Sequence, residues 1–312
     1  MRVAAPALAN PLLASSPARL APVLDSSFAG LGNPPNSLGD VIPPDTMGAA
    51  GPNHLVSLLN SDFGVFDKTT GAVLQQIPLQ SFWESLGTGS GQPANFPFDT
   101  KILYDQHSGR FVAITLGGLN APGSWVMIAI SSPDPTGAWN KWAIDADKDN
   151  NVRTNNSADF PGLGVDAFNV YVTANMFNSS SSQYSKVWVI PKAQLLTGAP
   201  PPTITWFEII DPPGSDFTMQ PAHTFGTPGA EYLLFEGSAN HLAVAWIDNT
   251  SGTPVWHSPL QVPVTRYTST NSLAGAPQSG NDNTIDTSDT RLLDAVYRNN
   301  SVWTVHTVSG PT

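Results

Sequence analysis

The chain has no cysteine among its 312 residues, which excludes disulfides, thiolate metal sites and cysteine nucleophiles. Charge is scarce too: only 12% of residues are charged, and 13 Lys and Arg stand against 24 Asp and Glu, for a net charge of -11. A nucleic acid or an anionic membrane surface needs a basic patch, so both are excluded as partners, whereas cations, neutral sugars and basic protein patches remain open. Glutamate is nearly missing, at Glu84, Glu208, Glu231 and Glu236 only, while Asp is abundant. Asp favours turns and metal loops and Glu favours helices, so the imbalance predicts a helix-poor fold. No apolar run reaches the length of a membrane helix, and no membrane insertion is expected. The opening MRVAAPALANPLLASSPARLAP is broken by Pro and has no uninterrupted apolar core of signal-peptide length. Residues 1–34 therefore read as an extended N-terminal segment or the remnant of a leader.

What is present is turn chemistry. Gly and Pro number 26 and 29, and the polar remainder leans on Ser, Thr and Asn, the composition of many short strands joined by turns. A hydrophobic content of 40% is enough to bury a core. The distribution of these residues is repetitive, with a degenerate period of roughly sixty residues. PPDTMGAAGPNHLVSLL from Pro43, PFDTKILYDQHSGRFVAI from Pro97 and TSDTRLLDAVYRNNSVWTV from Thr287 each read as Asp-Thr, a strand, a turn and an alternating strand. ADFPGLGVDAFNVYVTA from Ala158 and MQPAHTFGTPGAEYLLF from Met219 are copies in which the dipeptide has eroded.

After each of the first four hairpins come a third strand, as in WVMIAISS and LAVAWID, and a fourth, as in NKWAI and ITWFEI. Four antiparallel strands per unit, repeated, predict an all-β fold: a β-propeller over residues 35–312 with four blades and a partial fifth. The sheets would bury their faces against one another, with most of the nine tryptophans as fillers between blades. The fifth copy stops at WTVHTVSGPT after its second strand, so the propeller is expected to be C-terminally incomplete. A further C-terminal segment, the N-terminal segment or a partner chain would then close it. Helix is expected only near Leu79 to Leu86 and Lys192 to Leu196.

In such a fold the innermost strands line an axial channel. Asp45, Asp99, Asp159 and Asp289 stand at the starts of four of them, and Gln220 or His223 in the fourth blade. Side chains at i and i+2 share a strand face, which places Lys101 beside Asp99 and Arg291 beside Asp289. This ring suits binding a cation, clasping sugar hydroxyls, or raising one carboxyl for acid catalysis. The alternative is that Asp-Thr only fastens the start of a strand through side-chain to backbone hydrogen bonds.

In DADKDNNV, Asp145, Asp147 and Asp149 alternate like the first half of a calcium loop, and Asn151 offers a further oxygen. A structural Ca²⁺ is the expected cofactor, against the alternative of a solvated acidic turn. The pattern departs from an EF-hand: Asn150 replaces the turn Gly and Asn156 the bidentate Glu. The six His are scattered without the short pairing of a zinc site, and no G-x-S-x-G elbow or phosphate loop occurs.

The segment SSPDPTGAW from Ser131 to Trp139 resembles the Asp-box of the sialidase-like propellers, Ser-x-Asp-x-Gly-x-Thr-Trp. Ser132, Asp134, Gly137 and Trp139 match in order, with one extra residue before Gly137 and no Thr. The resemblance implies a propeller, because the Asp-box is a fold element. It does not imply sialidase activity, since the arginine triad and Tyr-Glu pair of that family are not matched here.

Three functions stay open. The leading one is a non-catalytic propeller that binds glycan or protein outside the cell or at a bacterial cell surface. A propeller glycoside hydrolase or polysaccharide lyase would instead use two channel carboxylates, about 5 Å apart if retaining and about 6.5 to 9.5 Å if inverting. The third is a structural module of a large adhesin or surface filament.

Overall fold

The computed structural model describes residues 27–32, 41–118, 123–149, 152–179, 181–198, 201–209, 217–238, 240–248, 252–270 and 272–308. Blade 1 consists of Met47–Ala50, His54–Leu58, Asp62–Asp67 and Val73–Pro78, hydrogen-bonded antiparallel in that order from the inside out. Blade 2 repeats the plan with Phe98–Asp105, Arg110–Gly117, Trp125–Ser131 and Trp139–Asp145. Blade 3 uses Ser157–Val165, Asn169–Phe177, Ser182–Pro191 and Thr205–Ile209. In blade 4 the inner strand is split into Gln220–Pro221 and His223–Thr224, followed by Ala230–Glu236, His241–Asp248 and Val255–Pro263. Blade 5 contributes the hairpin Ala295–Arg298 and Ser301–Thr304.

The inner strands run in one direction about a common axis. His223 pairs in parallel with Val165 of blade 3 on one side and Val296 of blade 5 on the other. The molecule is a β-propeller of four blades and part of a fifth.

Alternation explains how the blades stack. On the second strand of blade 2, Phe111 and Ala113 pack with Val56, Phe63 and Val65 of blade 1. The intervening Val112, Ile114 and Leu116 pack with Val165, Val170 and Val172 of blade 3. Tyr171, on the opposite face of blade 3, meets Leu233 and Phe235 of blade 4, and Leu234 there turns to Leu292 and Tyr297 of blade 5. Each cluster is thus one interface between successive blades, and a period of two residues fills both faces of every sheet. A buried ion pair, Lys192 to Asp105 at 2.7 Å, ties blade 3 to blade 2.

Trp83 and Trp188 are fully buried as expected of fillers. Trp246 is half-buried and stacks on His257 instead, and Trp303 is 63% exposed on the second strand of blade 5. That strand pairs only inward among the described residues.

Helix is confined to Leu79–Trp83 with the 3₁₀ turn Glu84–Leu86, and to Lys192–Thr197, which ends on left-handed Gly198. No helix among the described residues is long and apolar enough to cross a membrane.

Candidate active site at the propeller axis

Residues of all five blades line one cavity of about 680 Å³, within the range of small-molecule sites. Its mouth is built by a backbone device. Asp45, Asp99 and Phe160, which line it in blades 1 to 3, all have positive φ, between 44° and 52°, and Thr218 and Ser288 share this conformation ahead of the inner strands of blades 4 and 5. Asp tolerates this left-handed region, whereas a bulky residue such as Phe160 is strained there. Bulges accompany it, between Phe98 and Lys101 in blade 2 and between Asp159 and Gly162 in blade 3. A bulge adds an unpaired residue and bends the strand, which re-aims the side chains at the mouth.

Asp45 and Asp99 meet there. The Asn60 amide donates to Asp45 Oδ2 at 2.7 Å, and Asn60 Oδ1 accepts from the Asp99 backbone N–H at 2.9 Å, which fixes blade 1 to blade 2. Asp99 Oδ2 accepts from the Phe160 N–H of blade 3 at 3.1 Å. Burial, together with the charge of Asp159 and a hydrogen bond to Asp45, pushes the Asp99 carboxyl up to about 7. Asp99 is therefore a proton-bearing acid near neutrality. Asp159 is exposed beside it.

Further in, Lys101 lines the cavity and forms no hydrogen bond or ion pair with a described residue; burial lowers its pKa, opposed by Asp294, Asp99 and Asp45. His223 of blade 4 also lines the cavity, and burial lowers its pKa as well. Its Nε2 lies 3.0 Å from Gln106 Oε1, and its ring packs on Phe225 at 4.4 Å. Tyr104, Phe160, Phe225 and Leu163 supply apolar wall.

Asp289 and Arg291 do not line the cavity themselves, although Arg291 packs on Phe160, which does. Counted back from the blade 5 hairpin, Asp289 lies further from its turn than Asp99 does from its own, so it misses the axial ring, and Asp294 lines the cavity in its place. Asp289 instead binds Arg291 at 2.6 Å, and the guanidinium packs over the rings of Phe160, at 4.2 Å, and Phe217. The Asp-Thr pair is thus not one repeated position, because the chain leading into blade 5 is longer. Strand alternation in LLDAV was the signal that could have found Asp294; nothing in the sequence around Asn60 or Gln106 pointed to the axis.

The acidic turn binds cations of the protein's own. Asp145 pairs with Lys148 at 2.8 Å, Asp147 with Arg153 at 2.5 Å, and Asp149 with buried Lys186. Arg153 also reaches Asp145 at 3.7 Å, so two of the three carboxylates share one guanidinium, and no group of three or more His, Asp and Glu among the described residues could hold a metal ion. Asn151 lies outside the described residues.

The Ser131–Trp139 turn lies between the third and fourth strands of blade 2, where the resemblance places it. The Asp134 carboxylate accepts from the N–H and hydroxyl of Thr136, and the Trp139 indole donates to the Pro135 carbonyl at 2.8 Å. Its ring abuts Phe63 and Phe82. This is a closed fold element; the structure shows a propeller, and the sialidase-like kinship remains a resemblance of this one turn.

No family model matches the sequence, and no curated protein matches it. Solved structures with some likeness include a GH43 β-1,3-galactosidase bound to galactodeoxynojirimycin, at 11% identity and TM-score 0.41, covering 73% of this chain and 78% of that one. An exo-β-1,3-galactanase from Phanerochaete chrysosporium with galactose shares 10% identity at TM-score 0.39, over 72% of this chain and 52% of its own. A GH43_1 enzyme from Xanthomonas citri complexed with xylose shares 12% identity at TM-score 0.36, over 70% and 73%.

Proposed function

We propose that the axial cavity binds a carbohydrate and hydrolyses a glycosidic bond, with Asp99 as the proton donor. The observation that carries this is the Asp99 carboxyl, held at about 7 at the mouth of a cavity with both polar and aromatic walls. A carboxylic acid that keeps its proton near neutrality is what protonation of a leaving glycosidic oxygen requires. Asp45, hydrogen-bonded to Asp99, raises and orients that acid. Asp159, exposed and near enough for its charge to raise the Asp99 carboxyl, is the carboxylate left to attack the sugar or activate water. A location outside the cell or at its surface, where polysaccharide is met, belongs to the same reading.

The direct hydrogen bond between Asp45 and Asp99 favours a second reading, a non-catalytic glycan binder. In that reading Asp45 and Asp99 hold blades 1, 2 and 3 together through Asn60 and Phe160 and take no part in chemistry. Hydrolysis of a panel of neutral and acidic oligosaccharides separates the two. If Asp99 is the acid, Asp99→Asn lowers turnover at least about a hundredfold while substrate still binds. Glycan binding by the unaltered protein without turnover establishes the binder, and unchanged turnover in Asp99→Asn removes Asp99 from the chemistry.

A further inference from the structure

Gln220 is the clearest orphan of the cavity. It sits on the split inner strand of blade 4, lines the cavity, and is 2% exposed. Its side-chain amide nitrogen is buried and has no hydrogen-bond partner. A buried donor without an acceptor is unfavourable in the free protein, and an incoming oxygen atom relieves it. Lys101, on the inner strand of blade 2, is a second donor with no hydrogen bond or ion pair to a described residue. Asp294 of blade 5 supplies an acceptor: one carboxylate oxygen takes its neighbour's N–H, from Ala295 at 2.8 Å, and the other has no described partner.

Two unpaired donors and one acceptor from three blades fit groups that both give and accept hydrogen bonds. Sugar hydroxyls do this, whereas a carboxylate only accepts and would face the acids Asp45 and Asp294. We propose that Gln220, Lys101 and Asp294 form a hydroxyl-reading subsite that selects an uncharged sugar over a uronic acid. This rests on the carbohydrate reading above and assigns its specificity to residues that take no part in the proton transfer.

The test is calorimetric titration of the full chain with galactose, xylose, arabinose, glucose, glucuronate and galacturonate, alongside thermal melts. At least one neutral sugar is expected to bind more tightly than both uronates. Gln220→Leu keeps the volume, removes the donor, and should weaken that sugar about tenfold without lowering the Tm; Lys101→Met should weaken it likewise. Unchanged affinity in both variants overturns the subsite, as does tighter binding of a uronate. A fall of several degrees in the Tm of Gln220→Leu overturns the role of Gln220, because its amide would then be serving the fold. If none of the six sugars binds the unaltered protein, the carbohydrate reading itself fails; if one binds without regard to Gln220 and Lys101, only the subsite does.

Discussion

Asp99 keeps its proton because burial strips water from the carboxylate and the charge of Asp159 opposes a second anion, while Asp45 accepts its hydrogen bond. The same shift changes stability with pH. Below the ordinary value of 3.8 the group is protonated in both folded and unfolded chains. From there up to about 7 the folded protein holds a proton that the unfolded chain has released, so stability falls as pH rises across that window. Asp99→Asn cannot ionise and should lose this slope, gaining on the unaltered protein between pH 4.5 and 7.5 in urea melts. Glu208, also raised to about 7 by its hydrogen bond to Asp149 and then by burial, adds a slope of the same sign, which Glu208→Gln removes separately. An unchanged slope in Asp99→Asn would show that its carboxyl is ionised throughout. The Asp-Thr repeat made Asp99 visible in the sequence, but its protonation depends on burial and on Asp159 and Asp45 arriving from blades 3 and 1, against the Phe160 N–H, which favours the ionised form.

At the scale of elements, the acidic turn after blade 2 shows how a motif changes meaning once its neighbours are present. Alternating Asp residues present oxygens to one point only if the loop curls around it. Here Arg153 returns on the short strand Val152–Arg153, and Lys186 arrives from the third strand of blade 3. Lys186 is wholly buried, with its ammonium on Asp149 and against the rings of Trp188 and Trp206. Chelator should therefore leave the Tm unchanged; a clear fall would restore the calcium reading. Lys186→Met should cost about 3 to 5 kcal/mol, because it strands a carboxylate whose cation is gone. A loss below about 1 kcal/mol would mean that Asp149 and Glu208 settle the charge between themselves.

Across the whole molecule, stability resides in the interfaces between blades. Trp188→Ala opens the packed interface between blades 2 and 3 and should cost about 3 to 5 kcal/mol in denaturant unfolding. Trp246→Ala, at a half-buried ring stacked on His257, should cost clearly less. Equal losses would show that the two rings are buried alike in solution. Both tryptophans occupy the same kind of strand in sequence and differ only because blade 3 has a full sheet on each side.

The sequence by itself determined the four-stranded sheet plan, the two short helices and the presence of acids near an axis. Those follow from local rules: alternation of period two, turn residues, and a repeat that no single sheet can stabilise alone. The tertiary structure alone decided which acids face the cavity. Blade 5 lines the cavity with Asp294, where Asp289 was expected, and Asp149 of the calcium-like turn meets Lys186 from the third strand of blade 3. Register at a bulge and the charge that meets a carboxylate depend on chain segments far apart in sequence, and no local pattern encodes them.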